Sequence, residues 1–153
     1  MTTRWMESPI GGLRVHASAG LITAIDFGAK PHKRRIADPL LDRAEQQLRE
    51  YFSGERTQFD LPLASEGSEF QKKVWAELQR IPYGETASYG DIARRLGYEP
   101  VISRAVGAAN GANPIPIVVP CHRVIGSDGS LTGYAGGLER KKTLLDLEVP
   151  GLF

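Results

Sequence analysis

The chain has a single cysteine, Cys121, and only three histidines in 153 residues. One thiol cannot close an internal disulfide, and one Cys with three His falls short of a cysteine-rich zinc site. No apolar run approaches the roughly 20 residues that span a bilayer. The opening stretch Met1-Thr2-Thr3-Arg4-Trp5-Met6-Glu7 lacks the apolar core of a signal peptide. Excess charge of one sign is missing too. There are 19 basic and 18 acidic side chains, a net charge of +1. Residues 1–70 carry 9 basic and 10 acidic groups, and residues 71–153 carry 10 and 8. This excludes a polybasic nucleic-acid binder, so any contact with DNA must rest on a local surface. There is no internal repeat and no low-complexity tract. Together these absences predict a reduced, cytoplasmic protein without membrane association.

What is present is ordinary globular material. Hydrophobic residues make up 41% and charged residues 24%, which argues against disorder. The length suits one medium domain or two small ones. Residues 14–17 and 21–27 read as short strands, with Gly11-Gly12 and Ala19-Gly20 as turns. Residues 28–38 read as a loop, and its Lys33-Arg34-Arg35 triplet as solvated surface. Leu41, Ala44, Leu48, Tyr51 and Phe52 recur at helical spacing. Asp38 can cap that helix, Pro39 suits its first position, and Ser53-Gly54 ends it. Residues 55–67, with Pro62, Ser65 and Gly67, look like a linker.

Ser68-Glu69-Phe70-Gln71 matches a capping box. The helix after it places Phe70, Val74, Trp75 and Leu78 on one face, and Ile81-Pro82-Tyr83-Gly84 stops it. Ser88 caps a second helix with Ile92, Ala93 and Leu96, ended by Gly97. A third helix is expected over 103–110. The last two form a helix-turn-helix candidate. Three prolines exclude helix from residues 113–120; 117–119 reads as a buried extended piece and 123–125 as a strand. A turn at 126–129 and a small-residue loop at 133–137 follow. The last helix is expected from Leu138 to Glu148, burying Leu138, Leu144, Leu145 and Leu147.

Cys121 is followed directly by His122. A small buried thiol beside a structural histidine is the plain reading of such a pair. Pro120 and the apolar run 115–119 instead place a rigid thiol at the end of a buried segment, with Gly-rich turns after it to wall a pocket. A thiol nucleophile needs a base, and imidazole is the usual one. Adjacent side chains seldom bond directly, so His122 is expected to act through a bridging water.

Pro120-Cys121-His122-Arg123-Val124 resembles the active-site motif of the O6-alkylguanine-DNA alkyltransferases. Asn113-Pro114, Pro116, Gly133-Tyr134-Ala135-Gly136-Gly137-Leu138 and Leu144-Leu145-Asp146-Leu147-Glu148 extend the likeness. So do Phe70-Gln71 through Trp75, Ile81-Pro82-Tyr83-Gly84, Ser88-Tyr89 and Arg104-Ala105-Val106-Gly107. The resemblance is dense over 68–148. It is thinner over 1–60, where it rests mainly on Ser8-Pro9-Ile10-Gly11 and Tyr51-Phe52-Ser53-Gly54.

The resemblance implies an α+β fold. Residues 1–64 would form a small α/β subdomain, an antiparallel sheet plus a helix. Residues 65–153 would form a mostly helical, winged-helix-like DNA-binding and alkyl-acceptor domain. It implies direct-reversal repair: Cys121 takes the alkyl group from O6-alkylguanine, and by extension O4-alkylthymine, and the protein is spent. His122 would accept the thiol proton, Glu148 would orient His122, and Tyr89 would protonate N3 of the departing base. Asn113 would brace the turn before the cysteine. Pro116, Val124, Tyr134, Ala135 and Gly136 would line the base pocket. Many relatives carry Ser where this chain has Ala135, which leaves a backbone amide rather than a hydroxyl to reach O6. Arg104 would fill the space of the extruded base. Tyr89, Ser88, Ala105 and Ala109 would join it at the DNA, and Arg94 and Arg95 would meet phosphates. In the helix at 103–110 only Arg104 and Asn110 are long enough to read a base edge, which suits sequence-independent binding. The expected partner is double-stranded DNA, bound by a monomer, with cooperative binding left open. No cofactor is expected, because the damaged base carries the transferable group. Some relatives hold zinc through N-terminal cysteines; this chain has none there, so no metal is expected.

Two other readings stand beside this one. A lesion binder of the same fold without chemistry would lack the nucleophile, which Cys121 argues against. A thiol hydrolase or redox sensor would want an oxyanion hole or a second cysteine.

Overall fold

The computed structural model describes residues 1–32, 34–64 and 66–151. Lys33 of the basic triplet and Ser65 of the expected linker lie outside the described residues. The chain divides into two compact units, 1–65 and 66–153, and the fold is α+β.

The first unit is a three-stranded antiparallel sheet in sequence order: β1 (Thr2–Met6), β2 (Leu13–Ser18) and β3 (Leu21–Phe27). Strand β1 pairs Thr2 with Ala17 through Met6 with Leu13. The sequence pattern did not announce it, because its inward positions are Met6 and a charged Arg4. Leu13, Val15 and Ala17 alternate inward along β2, as a half-buried strand requires. Helix α1 (Pro39–Phe52) covers this face with Leu41, Ala44, Leu48 and Tyr51. Asp38 caps it by accepting from the Leu40 and Leu41 amides, and Pro39 occupies its first turn. Buried Arg4 reaches Glu45 and Asp42 of α1, both at 3.0 Å. Segment 55–67 is more than a linker. Its 62–64 stretch runs parallel beside β3, with the Ile22 amide donating to the Pro62 carbonyl and the Ala64 amide to the Ile22 carbonyl, each at 2.8 Å.

The second unit is mostly helical. Helix α2 (Glu69–Leu78) opens on the Ser68/Gln71 capping box. A two-residue strand, β4 (Ala87–Ser88), leads into α3 (Tyr89–Arg95), where Ser88 and Asp91 form a second capping box. A 3₁₀ turn (Pro100–Ile102) connects α3 to α4 (Ser103–Gly111). Helices α2 and α3 both pack on α4, completing the helix-turn-helix. Val74 and Leu78 of α2, Ile92 and Ala93 of α3, and Val106 of α4 form its core. Trp75 joins them and donates from Nε1 to the Ala109 carbonyl at 2.8 Å.

Three expectations change here. Residues 117–119 form a turn, not an extended piece. Three prolines forbid helix without supplying a strand partner, and the Val119 amide folds back to the Ile115 carbonyl at 3.0 Å. Arg123 belongs to a 3₁₀ turn (Cys121–Arg123) rather than a strand; only β5 (Val124–Ile125) is extended, pairing parallel with β4. Helix α5 (Leu138–Glu148) has the expected bounds but a different buried stripe: Lys141, Leu144, Leu145 and Glu148. Leu138 is 49% exposed, and Leu147 is half-buried. Among the described residues no helix is long and apolar enough to cross a membrane.

Candidate active site

Cys121 is presented by a backbone turn with little freedom. Ile117 has φ of +73°, a left-handed conformation that costs a β-branched residue on the order of 1–3 kcal/mol. Pro120 has φ −81° and ψ 64°, the shape of an inverse γ-turn. The Cys121 amide closes that turn on the Val119 carbonyl at 2.8 Å. Asn113 secures the segment from the side: its Nδ2 donates to the Val119 carbonyl at 2.9 Å, and its Oδ1 accepts from the Ile115 amide at 3.0 Å. Asn110 of α4 donates to the Cys121 carbonyl at 3.3 Å. It is 3% exposed, so it faces the cysteine segment and is not the outward base reader the sequence suggested.

The thiol is 4% exposed and lies 3.8 Å from the Tyr134 hydroxyl. Burial pushes its pKa above the ordinary thiol value, while hydrogen bonding with Asn113 and Tyr134 and the charge of Lys141 pull the other way. With the net shift upward, the thiol needs a base to ionise.

His122 is fully buried, and its Nε2 lies 2.7 Å from Glu148 Oε2. Arg123 grips the same carboxylate: Nε donates to Oε1 at 2.7 Å and Nη2 to Oε2 at 3.1 Å. A third donor of Arg123, Nη1, goes to the Ile81 carbonyl at 2.7 Å, and its guanidinium lies over the Tyr83 ring. Burial alone would raise the Glu148 carboxyl, but His122 and Arg123 hold it down to about 2. Burial, together with the charges of Arg123 and Lys141, pushes the His122 imidazole below its ordinary value against the pull of Glu148. The ring is therefore neutral near pH 7. An ionised carboxylate only accepts, so Nε2 carries the proton. That leaves the lone pair on Nδ1, which is buried without a hydrogen-bond partner among the described residues. No direct bond joins His122 to Cys121 among the described residues.

Linked contacts lead from Cys121 through Tyr134, Lys141 and Thr132 to Tyr89. Tyr89, first residue of α3, holds its hydroxyl 2.6 Å from Thr132 Oγ1. Lys141 is 0% exposed. Its Nζ donates to the Val124 carbonyl at 2.6 Å and the Thr132 carbonyl at 3.4 Å, and sits over the Tyr134 ring. Burial lowers its pKa to about 8, with the Cys121 charge opposing. Pro116, Val124 and Gly136 are buried, Tyr134 is half-buried and Ala135 is exposed.

On α4, Arg104, Ala105 and Ala108 are exposed. Ala109 is 3% exposed and its carbonyl accepts from Trp75 Nε1 at 2.8 Å, so it is not on the exposed surface of α4 where the expected DNA contact would need it. Ser88 Oγ accepts from the Asp91 amide at 3.0 Å. The exposed Arg94 pairs with Asp91 at 2.7 Å.

Sequence reasoning overlooked Arg123, Thr132 and Lys141. Arg123 sits inside the motif that drew attention to its neighbours. Lys141 shares a helical stripe with Leu144, Leu145 and Glu148, a spacing that could have revealed it.

Residues 1–65 match the model of the 6-O-methylguanine DNA methyltransferase ribonuclease-like domain, and residues 69–149 that of the family's DNA-binding domain. The chain belongs to the 6-O-methylguanine DNA methyltransferase family. A methylated-DNA--protein-cysteine methyltransferase of Mycolicibacterium paratuberculosis is 65% identical over 150 residues, covering 95% of this chain and 90% of the relative. Another, from Methanosarcina acetivorans, is 49% identical over 93% of this chain and 94% of its own length. The crystal structure of Mycobacterium tuberculosis OGT in complex with DNA matches with a TM-score of 0.87 and 46% identity, over 98% of this chain and 96% of that one. The buried cysteine, its imidazole neighbour and the helix-turn-helix all lie within the stretch matched to the family's DNA-binding domain.

Proposed function

We propose that the protein repairs alkylated double-stranded DNA by direct reversal, moving the alkyl group from O6-alkylguanine, or O4-alkylthymine, onto Cys121 in one irreversible event. The observation that carries this reading is the buried His122–Glu148 pair, whose histidine directly follows Cys121 in the chain. A buried thiol stands next to a neutral imidazole whose Nε2 is tied to a carboxylate at 2.7 Å, which leaves Nδ1 as the base.

The chemistry follows from that arrangement. Through a bridging water, His122 Nδ1 takes the thiol proton, and Glu148 stabilises the imidazolium that forms. The sulfur attacks the alkyl carbon in line. A sulfur–carbon bond forms as the carbon–oxygen bond breaks, and its electron pair stays on the base. Tyr89 gives its proton to the base nitrogen, so guanine departs neutral. Asn113 holds the turn that aims the sulfur. Pro116, Val124, Tyr134, Ala135 and Gly136 wall the base pocket. The thioether cannot be hydrolysed, so each molecule acts once.

O6 lies inside the stack, so the base must be flipped out. The exposed α4 residues Arg104 and Ala105 suit that task. Short side chains allow close approach at any sequence, and Arg104 fills the vacated space. Ser88, Arg94 and Arg95 lie at or near the same helix-turn-helix for phosphate contact. The unit from residue 65 to 153 carries the DNA surface and the acceptor as a monomer, while residues 1–64 form a separate subdomain. No cofactor enters any step.

Intact mass spectrometry tests the reading. After incubation with duplex DNA carrying O6-methylguanine, the protein should gain one methyl group on Cys121 and saturate at one per molecule. Cys121→Ala should gain none. Binding without mass gain would overturn the transfer reading, and repeated turnover would overturn the single-event reading.

A further inference from the structure

We propose that Thr132 is a positioning residue for Tyr89, its hydroxyl donating to the phenol oxygen so that the phenol proton points to the departing base. The inference rests on the reading above, in which Tyr89 is the proton donor.

The two hydroxyls lie 2.6 Å apart, a short O–H···O hydrogen bond. Each carries one proton and can also accept. If Tyr89 donated to Thr132, its only proton would be spent there. The opposite sense leaves the Tyr89 proton available and gives its oxygen a donor. That bond then strengthens as the proton moves away, because an anionic oxygen accepts more strongly than a neutral one.

Thr132 is placed for this from both sides. Its carbonyl accepts from buried Lys141 Nζ at 3.4 Å, and the same ammonium holds the Val124 carbonyl at 2.6 Å. The loop is thus fastened to α5 and β5 through its backbone, and the Thr132 side chain remains for Tyr89.

Protons balance across the event. The sulfur–carbon bond forms, the carbon–oxygen bond breaks and its pair stays on the base. The Tyr89 proton goes to the base nitrogen, leaving a phenolate that Thr132 stabilises. The thiol proton, held on His122, restores the phenol through solvent.

The test is single-turnover methyl transfer at saturating O6-methylguanine duplex, for Thr132→Val, Thr132→Ser, Tyr89→Phe and the Thr132→Val/Tyr89→Phe double variant. Cooperative thermal unfolding followed by circular dichroism serves as a fold check. Thr132→Val should slow transfer about tenfold, the order expected for one hydrogen bond to a charged group, with the DNA Kd moved by less than about twofold. Thr132→Ser should recover most of the rate. In the Tyr89→Phe background the same Val change should cost less than about twofold, because its partner is gone. Equal losses in both backgrounds would show that Thr132 only packs the loop, and an unchanged rate in Thr132→Val would overturn the proposal outright. If Tyr89→Phe itself transfers at full rate, the role of Tyr89 falls and this proposal with it, while transfer to Cys121 stands. Should Thr132→Val fail to unfold cooperatively, Thr132→Ala replaces it in the same cycle.

Discussion

In the proposed mechanism Glu148 serves both chemistry and stability. It ends α5, where a carboxylate opposes the helix dipole. Two contacts from Arg123 and one from His122 outweigh that penalty. Glu148→Gln removes the charge that balances the imidazolium, so single-turnover transfer should fall about 100-fold, a typical share for acid–base assistance. It also leaves Arg123 buried without a counter-charge, at a cost of about 3 kcal/mol in urea unfolding at pH 7. Acidity should weaken the wild-type fold in two stages. His122 sits below its ordinary value of 6.5, and Glu148 falls from 4.5 to about 2. Both bind protons more readily when unfolded, so stability drops first as pH falls below 6.5 and again between 4.5 and about 2. In Glu148→Gln the second stage should shrink. Urea midpoints at several pH values would check this, and an unchanged acid limb in the variant would sink the assignment.

At the scale of the element, the capping boxes carry a sharp expectation. Ser88 accepts from the Asp91 amide and Asp91 answers to the Ser88 amide. Ser88→Ala should therefore cost about 1 kcal/mol of stability. If Ser88 also meets a phosphate, Ser88→Ala should weaken DNA binding by a similar factor at every salt concentration, because a neutral hydroxyl releases no counterion; an unchanged affinity would restrict it to the cap. These helices were legible in the sequence because a cap is local: Asp38, Ser68 and Ser88 each sit a few residues from the amides they satisfy. What escaped was polar and buried. The alternation of β1 was hidden because one inward position is Arg4. Two of the four inward positions of α5 are Lys141 and Glu148, so apolar residues alone point to Leu138 and Leu147 instead. Burial of those charges depends on partners distant in sequence: Arg4 on Glu45, Lys141 on Val124, and Glu148 on His122 and Arg123. The motif around Cys121 named the nucleophile and its neighbours. It did not reveal Thr132, whose role depends on Tyr89, 43 residues away in the chain.

For the molecule as a whole, a thiol that is 4% exposed has little room for an added carbon. Methylation of Cys121 should strain the packing of the second unit by about 1–3 kcal/mol. The methylated protein should melt at a lower temperature than the unreacted one and be cut faster by a protease that attacks the unfolded chain. Calorimetry on the two forms, separated after reaction, would detect this. Equal melting temperatures would mean that the pocket already holds space for the methyl group.

The sealed amine of Lys141 has a consequence of its own. Acylating reagents capture only a neutral amine that they can touch. Lys141 is neutral more often than a surface lysine, with its pKa lowered to about 8, yet at 0% exposure it is out of reach. Its acylation must therefore wait for the loop between β5 and α5 to open, so the speed of that labelling is a clock for the breathing of the alkyl-acceptor pocket.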